Sequence, residues 1–331
     1  MNTPNTKPFA GLTPDCVMNA LETLGFCCDG RLLALNSYEN RVYQVGIEDS
    51  PPLVAKFYRP GRWTDAAIME EHGLLNELAS HELPVVPPLP IRDGQTLYKF
   101  ESFRFSVYPK QAGRAPELNG RETFERMGRL IGRIHAVGAL RCFGERPSLN
   151  ISTFGEEPLD YLLANGFVPP DLLEAYRSVA IHALDRVRLC FERSGSPRML
   201  RLHGDCYPGN ILWTNDGPHF VDFDDSRTGP AIQDLWMLLA GERDEKERQL
   251  SGLLSGYECF YEFDRRELHL IEALRTLRLI HYSAWLARRW DDPAFPAAFP
   301  WFNNARYWQD RILELREQIA LMDEPPLNAI P

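Results

Sequence analysis

The chain has 331 residues, of which 44% are hydrophobic, enough for a sizeable core in one large domain or two moderate ones. Its formal net charge of −10 argues against a general nucleic-acid-binding protein, because no basic excess is available to neutralise phosphates. Seven cysteines without a CxxC pair indicate reduced thiols rather than a disulfide framework or a zinc site. No apolar stretch is long enough to cross a bilayer, so we expect a cytoplasmic protein without a membrane partner.

The first third of the chain predicts a short helix followed by an antiparallel sheet. Thr13 before Pro14 is typical of a helix start. The turn at residues 37–40 contains no glycine. Alternating apolar residues predict five strands that form a five-stranded antiparallel sheet, at residues 31–36, 41–47, 53–58, 96–100 and 103–108.

A lysine and a glutamate in this region are candidates for a buried ion pair. Lys56 lies on the third strand, and a helix starting near residue 64 carries Glu71 in the same apolar stripe as Ile68 and Leu75. Burying a lone carboxylate is costly, so Lys56 is the expected partner of Glu71, whereas Glu70 points about a quarter-turn away. The alternatives are a solvated strand lysine and a Glu71 that reaches solvent at the edge of the stripe.

After residue 108 the pattern is mainly helical. His135 ends the apolar stripe of the first of these helices and is expected to be a hydrogen-bonded core histidine, because no ligand-spaced histidine or cysteine accompanies it. Residues 288–302 combine prolines with aromatics and predict a loop, which either packs over the helical part or lines the acceptor side of the site. Further helices are predicted at residues 171–193, 231–240, 245–261, 265–290 and 304–322.

The candidate catalytic and metal-binding residues lie in the central part of the chain, at residues 203–225. Asp205 and Asn210 precede a short strand, and a turn near residue 216 leads into a second strand that ends at Asp222. These three side chains can therefore converge at one end of a hairpin. A His-x-Asp pattern with Asn five residues after the Asp is the spacing of the kinase catalytic loop, in which the Asp is the base and the Asn holds metal. Asn210 and Asp222 suit Mg²⁺, which prefers a few oxygen ligands plus water and phosphate.

Residues 203–210, followed by residues 221–225, resemble the aminoglycoside phosphotransferase and choline kinase branch of the protein-kinase-like fold. Residues 35–44, 56–60 and 234–239 resemble the stress response kinases of bacteria within that branch. The resemblance extends from about residue 12 to the final helix. Asp224 stands where the Asp-Phe-Gly signature of kinases has its glycine.

The resemblance implies a role for each matching residue. Asp222 corresponds to the metal-binding Asp of the kinase signature, and Lys56 to the strand lysine that neutralises the α- and β-phosphates. Ser37 would compensate for the missing glycine with its hydroxyl and amide, the alternative being an ordinary hairpin turn. Tyr108 would mark the connection where backbone groups bind adenine, and Asp234 would brace the catalytic loop.

The expected fold is α+β and two-lobed, with a nucleotide-binding lobe at residues 1–108, a helical lobe at residues 109–331, and ATP between them. The expected reaction is Mg²⁺-dependent transfer of the γ-phosphoryl group of ATP, with Asp205 as the base. The resemblance implies a serine/threonine protein kinase that autophosphorylates and acts in stress survival. The alternatives are a small-molecule hydroxyl kinase, which an acidic pocket for a cationic acceptor would favour, and an inactive kinase-shaped binding module.

Overall fold

The fold is described by a computed structural model for residues 8–215 and 217–329. The chain divides into two compact units. The first comprises Met1–Pro116, of which residues 8–116 are described, together with Gly144–Arg146 and Gly209–Asp224. The second comprises Glu117–Phe143, Pro147–Pro208 and Asp225–Pro331, described as far as residue 329. Two short segments from later in the chain therefore belong to the first unit, and the lobe boundary at residue 108 stays a prediction.

The first unit contains the predicted five-stranded antiparallel sheet, in the order β1-β2-β3-β5-β4. Helix α1 (Pro14–Glu22) begins at the predicted cap, where the Thr13 side chain accepts a hydrogen bond from the Cys16 amide. Helix α2 (Asp65–Ser80) follows the third strand. The strands are β1 (Cys28–Ala34), β2 (Arg41–Ile47), β3 (Ser50–Phe57), β4 (Tyr98–Phe100) and β5 (Phe103–Pro109).

The turn between β2 and β3 is shorter than the gap between the predicted strands at residues 41–47 and 53–58. Strand β3 begins at Ser50, because Asp49 adopts a left-handed conformation with φ 51° and reverses the chain at once. Aspartate tolerates this conformation better than most residues. The core beneath the sheet includes Val17 and Leu21 from α1 and the stacked rings of Phe57 and Phe105, whose centroids are 5.2 Å apart.

The predicted central hairpin is also present in the first unit. Strands β7 (Ile211–Thr214) and β8 (Gly217–Phe220) pair in antiparallel register, and the turn residue Asp216 lies outside the described residues. Isolated bridges from Val85 to Phe220 and from Arg114 to Trp213 attach the hairpin to earlier parts of the unit. Tertiary pairing therefore fixes the position of this late segment.

The second unit is mainly helical and contains one short strand pair, β6 (Met199–Leu202) with β9 (Arg227–Pro230). Helices α3 and α7 cross closely, since a Cβ on Gly132 would lie 2.6 Å from the carbonyl oxygen of Tyr257. The helices are α3 (Arg121–Gly138), α4 (Glu157–Ala164), α5 (Leu173–Ser194), α6 (Ile232–Trp236), α7 (Arg243–Tyr257), α8 (Ile271–Arg288), α9 (Ala294–Ala298) and α10 (Ala305–Asp323).

Three predicted elements of this unit differ in detail. The helix expected at residues 231–240 is only the short α6, and the one expected at 265–290 is a 3₁₀ segment (Arg265–Leu270) followed by α8. The predicted loop at 288–302 contains the one-turn helix α9, in which a first-turn proline is tolerated. Phe295 and Phe302 are fully buried there, so this segment packs into the unit.

In the part of the chain that the structure describes, no helix has the length and apolar character needed to cross a membrane. All seven cysteines are described, and each is a free thiol.

Candidate active site

Asn210 and Asp222 flank the central hairpin. Asn210 lies just before β7, and its backbone carbonyl accepts a hydrogen bond from the Val221 amide at 3.0 Å. This bond brings Asn210 and Asp222 to the same end of the hairpin, whereas the predicted convergence of Asp205, which belongs to the second unit, with these two residues stays a prediction. The Asp222 side chain is about half exposed, and its backbone adopts φ 58°. Such left-handed conformations are uncommon outside glycine and cluster at functional sites.

Lys56 and Glu71 form the ion pair that the helix stripe predicts. The Lys56 Nζ lies 3.1 Å from Glu71 Oε1, and both side chains are more than nine-tenths buried. Two further carboxylates approach the same ammonium, with Asp224 at 3.0 Å and Asp222 at 3.6 Å. The segment at the end of the hairpin therefore places the carboxylates of Asp222 and Asp224 next to Lys56.

Two arginines that the sequence analysis did not select complete this group. Arg146 donates to Glu71 Oε2 at 2.8 Å and to the Asp224 carbonyl at 2.8 Å. Arg62 contacts Asp224 Oδ2 at 2.6 Å. No local pattern marks Arg146, which comes from a three-residue segment of the first unit, whereas Arg62 had only its closeness to Lys56 in the chain as a signal.

The electrostatics of the cluster keep Lys56 and Asp224 charged, whereas burial raises the pKa of Glu71. Burial alone would lower the pKa of Lys56, but the carboxylates of Asp224 and Glu71 outweigh it and raise this pKa well above its ordinary value. Burial opposes ionisation of Asp224, yet Arg62 and Lys56 hold its pKa well below the usual range. Lys56 is therefore positively charged at every physiological pH.

The glycine-free turn at residues 37–40 is held by side chains. Ser37 Oγ donates to the Asn40 carbonyl at 3.3 Å, and the buried Asn40 accepts the Arg59 amide at 3.1 Å. Glu39 contacts Arg59 Nε at 3.0 Å and Arg62 Nη1 at 3.3 Å. Because Arg62 also pairs with Asp224, ion pairs connect this turn to the Lys56 cluster.

Tyr108 lies within β5, opposite Val54 of β3. Its hydroxyl is hydrogen-bonded to that of Tyr58 at 3.1 Å, and Tyr58 continues to His72 at 2.8 Å. The phenol group is thus committed to a buried polar network of the first unit, while a contact of the Tyr108 backbone with adenine stays a prediction.

Asp234 braces the loop that carries Asp205, as the resemblance implied. One Asp234 oxygen accepts the His203 amide and the other the Gly204 amide, each at 2.8 Å. His135 contacts the same carboxylate at 3.1 Å and Tyr257 at 2.8 Å, so it is the hydrogen-bonded core histidine that was expected. Gly204 has φ 84°, which favours glycine, so the loop backbone is specified in detail.

Asp205 is partly exposed in the second unit and has a partner that the sequence did not reveal. Its carboxylate pairs with Arg278 of α8, the Arg278 Nη1 lying 2.7 Å from Asp205 Oδ1. The Asp205 amide donates to His203 Nδ1 at 3.3 Å, which gives His203 a role in loop architecture. The neighbouring Cys206 is buried, and burial raises the pKa of its thiol well above the ordinary value, so this thiol is unreactive.

The oxygen donors at the hairpin end suit a hard divalent cation. The described residues contain no group of three or more His, Cys, Asp or Glu that would hold an ion by themselves. Mg²⁺ needs fewer protein ligands, because it keeps water and substrate phosphates in its coordination shell. An amide and a carboxylate at one hairpin end, with Asp222 half exposed, suit that requirement.

Comparison with known proteins decides the family. A sequence profile for the phosphotransferase enzyme family matches residues 31–271. The chain belongs to this phosphotransferase family. Within it, the chain is 44% identical over 323 residues to stress response kinase A of Escherichia coli O157:H7, covering 98% of this chain and 97% of that one. It is 43% identical over 327 residues to serine/threonine protein kinase RdoA of Salmonella typhimurium, and the match covers 99% of this chain and 98% of that one.

Solved structures show the fold of the phosphotransferase family. The amicoumacin kinase hAmiN, in complex with AMP-PNP and Ca²⁺, has a TM-score of 0.72 at 19% identity and covers 95% of each chain. A microcompartment-associated aminopropanol kinase has a TM-score of 0.69 at 18% identity, covering 93% of this chain and 96% of that one. The predicted α+β kinase-like fold is therefore confirmed.

Proposed function

We propose that this phosphotransferase moves the γ-phosphoryl group of ATP to a serine or threonine hydroxyl of a protein, with Mg²⁺ bound. The support for a protein acceptor is the full-length similarity to a Salmonella relative that is named a serine/threonine protein kinase. The names of the relatives also support a role in a stress response. We extend the proposal to autophosphorylation and to a cytoplasmic setting.

The observation that carries this proposal is the buried cluster around Lys56. Phosphoryl transfer requires little covalent chemistry from the protein, so positioning and charge neutralisation supply most of the rate. Lys56 is held by Glu71 and Asp224 at 3.1 and 3.0 Å and kept charged, as a phosphate-binding ammonium must be. An inactive binding module would not need a buried lysine with several carboxylate partners.

The hairpin end is the proposed magnesium site. Asn210 and Asp222 would hold the ion, and bound Mg²⁺ would neutralise charge on the phosphates. The turn at residues 37–40, with the Ser37 hydroxyl and amide, would cover the phosphates, and the backbone near Tyr108 would contact adenine. Each of these assignments uses a residue of the first unit.

Asp205 is the proposed base. It would accept a hydrogen bond from the attacking hydroxyl and take its proton as the phosphoryl group arrives. The loop that presents it is fixed by the two Asp234 hydrogen bonds, so its carboxylate is positioned before the acceptor binds. Preorganisation of this kind lowers the cost of aligning the reacting groups.

A small-molecule kinase is the second candidate function. The support is that similar solved structures include an aminopropanol kinase and a choline/ethanolamine kinase family protein. Such acceptors are cationic alcohols, which an acidic surface next to the base would bind. The ion pair between Arg278 and Asp205 carries no net negative charge, so this pair does not supply such an acidic surface.

Removal of the Asp205 carboxylate tests the central assignment. We expect Asp205→Asn to reduce phosphate incorporation by about 100-fold or more, because general-base catalysis contributes about that factor. The exposed Asp171→Asn in the same unit is the matched control and should behave like the parent. The measurement is incubation with labelled ATP and Mg²⁺, followed by mass spectrometry of the protein and of a cytosolic extract. Equal incorporation by Asp205→Asn and the parent would contradict the assignment.

A further inference from the structure

A cavity of about 810 Å³ in the first unit is separate from the residues proposed to bind ATP and Mg²⁺. It is bounded by the turn after β3, the start of α2, and strands β4 and β5. Ser37, Lys56, Tyr108, Asn210 and Asp222 are all described, and none of them lines it. Pockets for small organic molecules have volumes of about 300–1,000 Å³. The cavity is therefore large enough for a ligand of its own.

Three basic side chains and one carboxylate line this cavity. Arg104 pairs with Asp65 at 2.7 Å, so these two charges cancel. Lys99 lies directly opposite Arg104 in the register of β4 and β5, and Arg92 donates to the Thr23 carbonyl, which is uncharged. In the described part of the chain, neither Lys99 nor Arg92 has a carboxylate partner. The cavity therefore has an excess of two positive charges that no ion pair cancels.

The acidic residues that neighbour the lining in sequence do not change this balance. Glu22 and Asp93 are exposed and do not line the cavity. Glu101, which does not line it either, accepts a hydrogen bond from the Cys16 thiol at 3.9 Å. Exposed charges that are not in contact interact weakly, because water and salt screen them. The positive charges of Lys99 and Arg92 are therefore free to pair with a ligand.

Two aromatic side chains in the lining are held in place by the protein itself. The guanidinium groups of Arg62 and Arg146 lie 5.2 and 4.8 Å from the centre of the Trp63 ring. The hydroxyl of Tyr98 accepts the Ile91 amide at 2.8 Å. Aromatic walls that are fixed before binding can contact an apolar or aromatic ligand at a low cost in conformational entropy. The cavity thus combines an anion-binding part with surfaces for an organic body.

We propose that this cavity binds a small phosphate monoester that carries an apolar or aromatic group. A phosphate monoester has close to two negative charges at pH 8, since its second pKa is about 6, and this charge matches the excess from Lys99 and Arg92. Its organic group contacts Trp63 and Tyr98, whereas inorganic phosphate would leave these rings without a partner. A cationic ligand is disfavoured by the same two charges. The inference goes beyond the proposed phosphoryl transfer and does not depend on it.

Fluorine NMR of the full-length protein tests both the ligand class and the location. The seven tryptophans are labelled as 5-fluorotryptophan, and the Trp63 resonance is assigned with Trp63→Phe. Phenyl phosphate, phenol and phenyltrimethylammonium share a ring but differ in charge, and each is titrated at pH 8. We expect phenyl phosphate to shift the Trp63 resonance and to bind at least about tenfold more tightly than the other two. An unmoved Trp63 resonance, or equal affinities for the three compounds, would overturn the proposal.

Variants assign the binding to the two unpaired cations. Lys99→Gln and Arg92→Gln should each weaken phenyl phosphate by about fivefold, a size expected for one exposed charge pair, and should leave phenol unaffected. Arg31→Gln is the matched control, because Arg31 is an exposed arginine on β1, at the opposite edge of the sheet from β4. All three positions are exposed, and thermal melting verifies that each variant is folded. An unchanged phenyl phosphate affinity in both cavity variants would contradict the assignment.

A titration with and without metal separates the cavity from the proposed nucleotide site. Phenyl phosphate should bind equally well in Mg²⁺ and in EDTA, and equally well to Asn210→Ala, because Asn210 does not line the cavity. Binding that requires Mg²⁺ or Asn210 would place the ligand at the hairpin end and overturn the cavity proposal. Metal-independent binding to a protein that transfers no phosphate from ATP would overturn the proposed function alone.

Discussion

Lys56 is buried with three carboxylates within 3.6 Å, those of Glu71, Asp222 and Asp224. Arg62 and Arg146 supply the remaining positive charge by pairing with Asp224 and Glu71. The buried members of this network have been taken out of water and are stabilised by their neighbours, so removal of one member leaves the others with less compensating charge. Substitution of a single charged residue in this cluster is therefore expected to lower the stability of the protein.

The adjacent glutamates of α2 provide a matched test. Glu71→Gln should destabilise the fold by about 3 kcal/mol, because it removes the carboxylate that pairs with Arg146 and one of the two buried carboxylates that pair with Lys56, and should lower phosphate transfer at least tenfold. Glu70→Gln should cost less, about 1–1.5 kcal/mol, because Glu70 is only partly buried and glutamine keeps one of the two oxygens that accept the Gly144 and Arg146 amides. Urea unfolding and initial rates measure both effects. Equal losses in the two variants would refute the distinction.

Glu267 is a buried carboxyl group of the second unit whose titration affects stability. It accepts the Ile232 amide at 2.9 Å, and burial raises its pKa from 4.5 to about 7. The folded protein therefore retains this proton at pH values where the unfolded chain has lost it. The contribution of Glu267 to the free energy of unfolding consequently falls as pH rises from about 4.5 to about 7.

Glu267→Gln should remove this pH dependence. Its amide oxygen still accepts the Ile232 amide without carrying a charge. We therefore expect the free energy of unfolding of the variant to exceed that of the parent by about 2 kcal/mol at pH 8. The difference should shrink towards pH 5, where Glu267 is protonated in the folded parent. Glu262→Gln, at an exposed position, is the control. Unfolding free energies measured from pH 5 to pH 8 test this, and a difference that is constant with pH would disprove the titration.

At the scale of elements, α3 and α7 approach so closely that their backbones touch. A Cβ on Gly128 would lie inside van der Waals contact with the Leu253 carbonyl oxygen, and one on Gly256 would do the same with the Glu125 carbonyl oxygen. Small residues at such positions allow helices to cross at short distance, and packed backbone cannot move aside for an added methyl group. The pair supports the core beneath the Asp205 loop through His135 on α3 and Tyr257 on α7.

Alanine substitutions distinguish packed from unpacked helical glycines. Gly128→Ala should lower the free energy of unfolding by about 2 kcal/mol or more, because it overpacks the contact between α3 and α7. Gly73→Ala on α2 should raise it by about 0.5–1 kcal/mol, since a Cβ there meets nothing within 4 Å and alanine is the better helix former. Thermal and urea unfolding give both values. A stabilising Gly128→Ala would refute the close crossing.

At the scale of the whole molecule, bound nucleotide and metal should raise stability together. A ligand that binds only the folded state at 100 times its Kd adds about 2.7 kcal/mol. We therefore expect ATP with Mg²⁺ to raise the melting temperature, and EDTA to abolish most of the rise. In Asn210→Ala, only the Mg²⁺-dependent part of the rise in melting temperature should be lost. An identical rise with and without Mg²⁺ in the parent would contradict a metal site at the hairpin end.

The sequence alone determined the parts of this protein that depend on short spacings. The alternation of apolar and polar residues along the chain predicted the five-stranded sheet. The helical stripe that contains Ile68 and Leu75 predicted that Glu71 pairs with Lys56. The interval between Asn210 and Asp222 was enough to predict a hairpin that brings them to one end. These patterns are readable because side-chain direction repeats every 2 residues in a strand and every 3.6 in a helix.

Only the tertiary structure decided which partners these residues have. Arg62 and Arg146 surround the Lys56 cluster, and Arg278 pairs with Asp205 although 73 positions separate them in the chain. No local period selects these three from the 36 lysines and arginines of the chain. Their placement results from packing among distant segments.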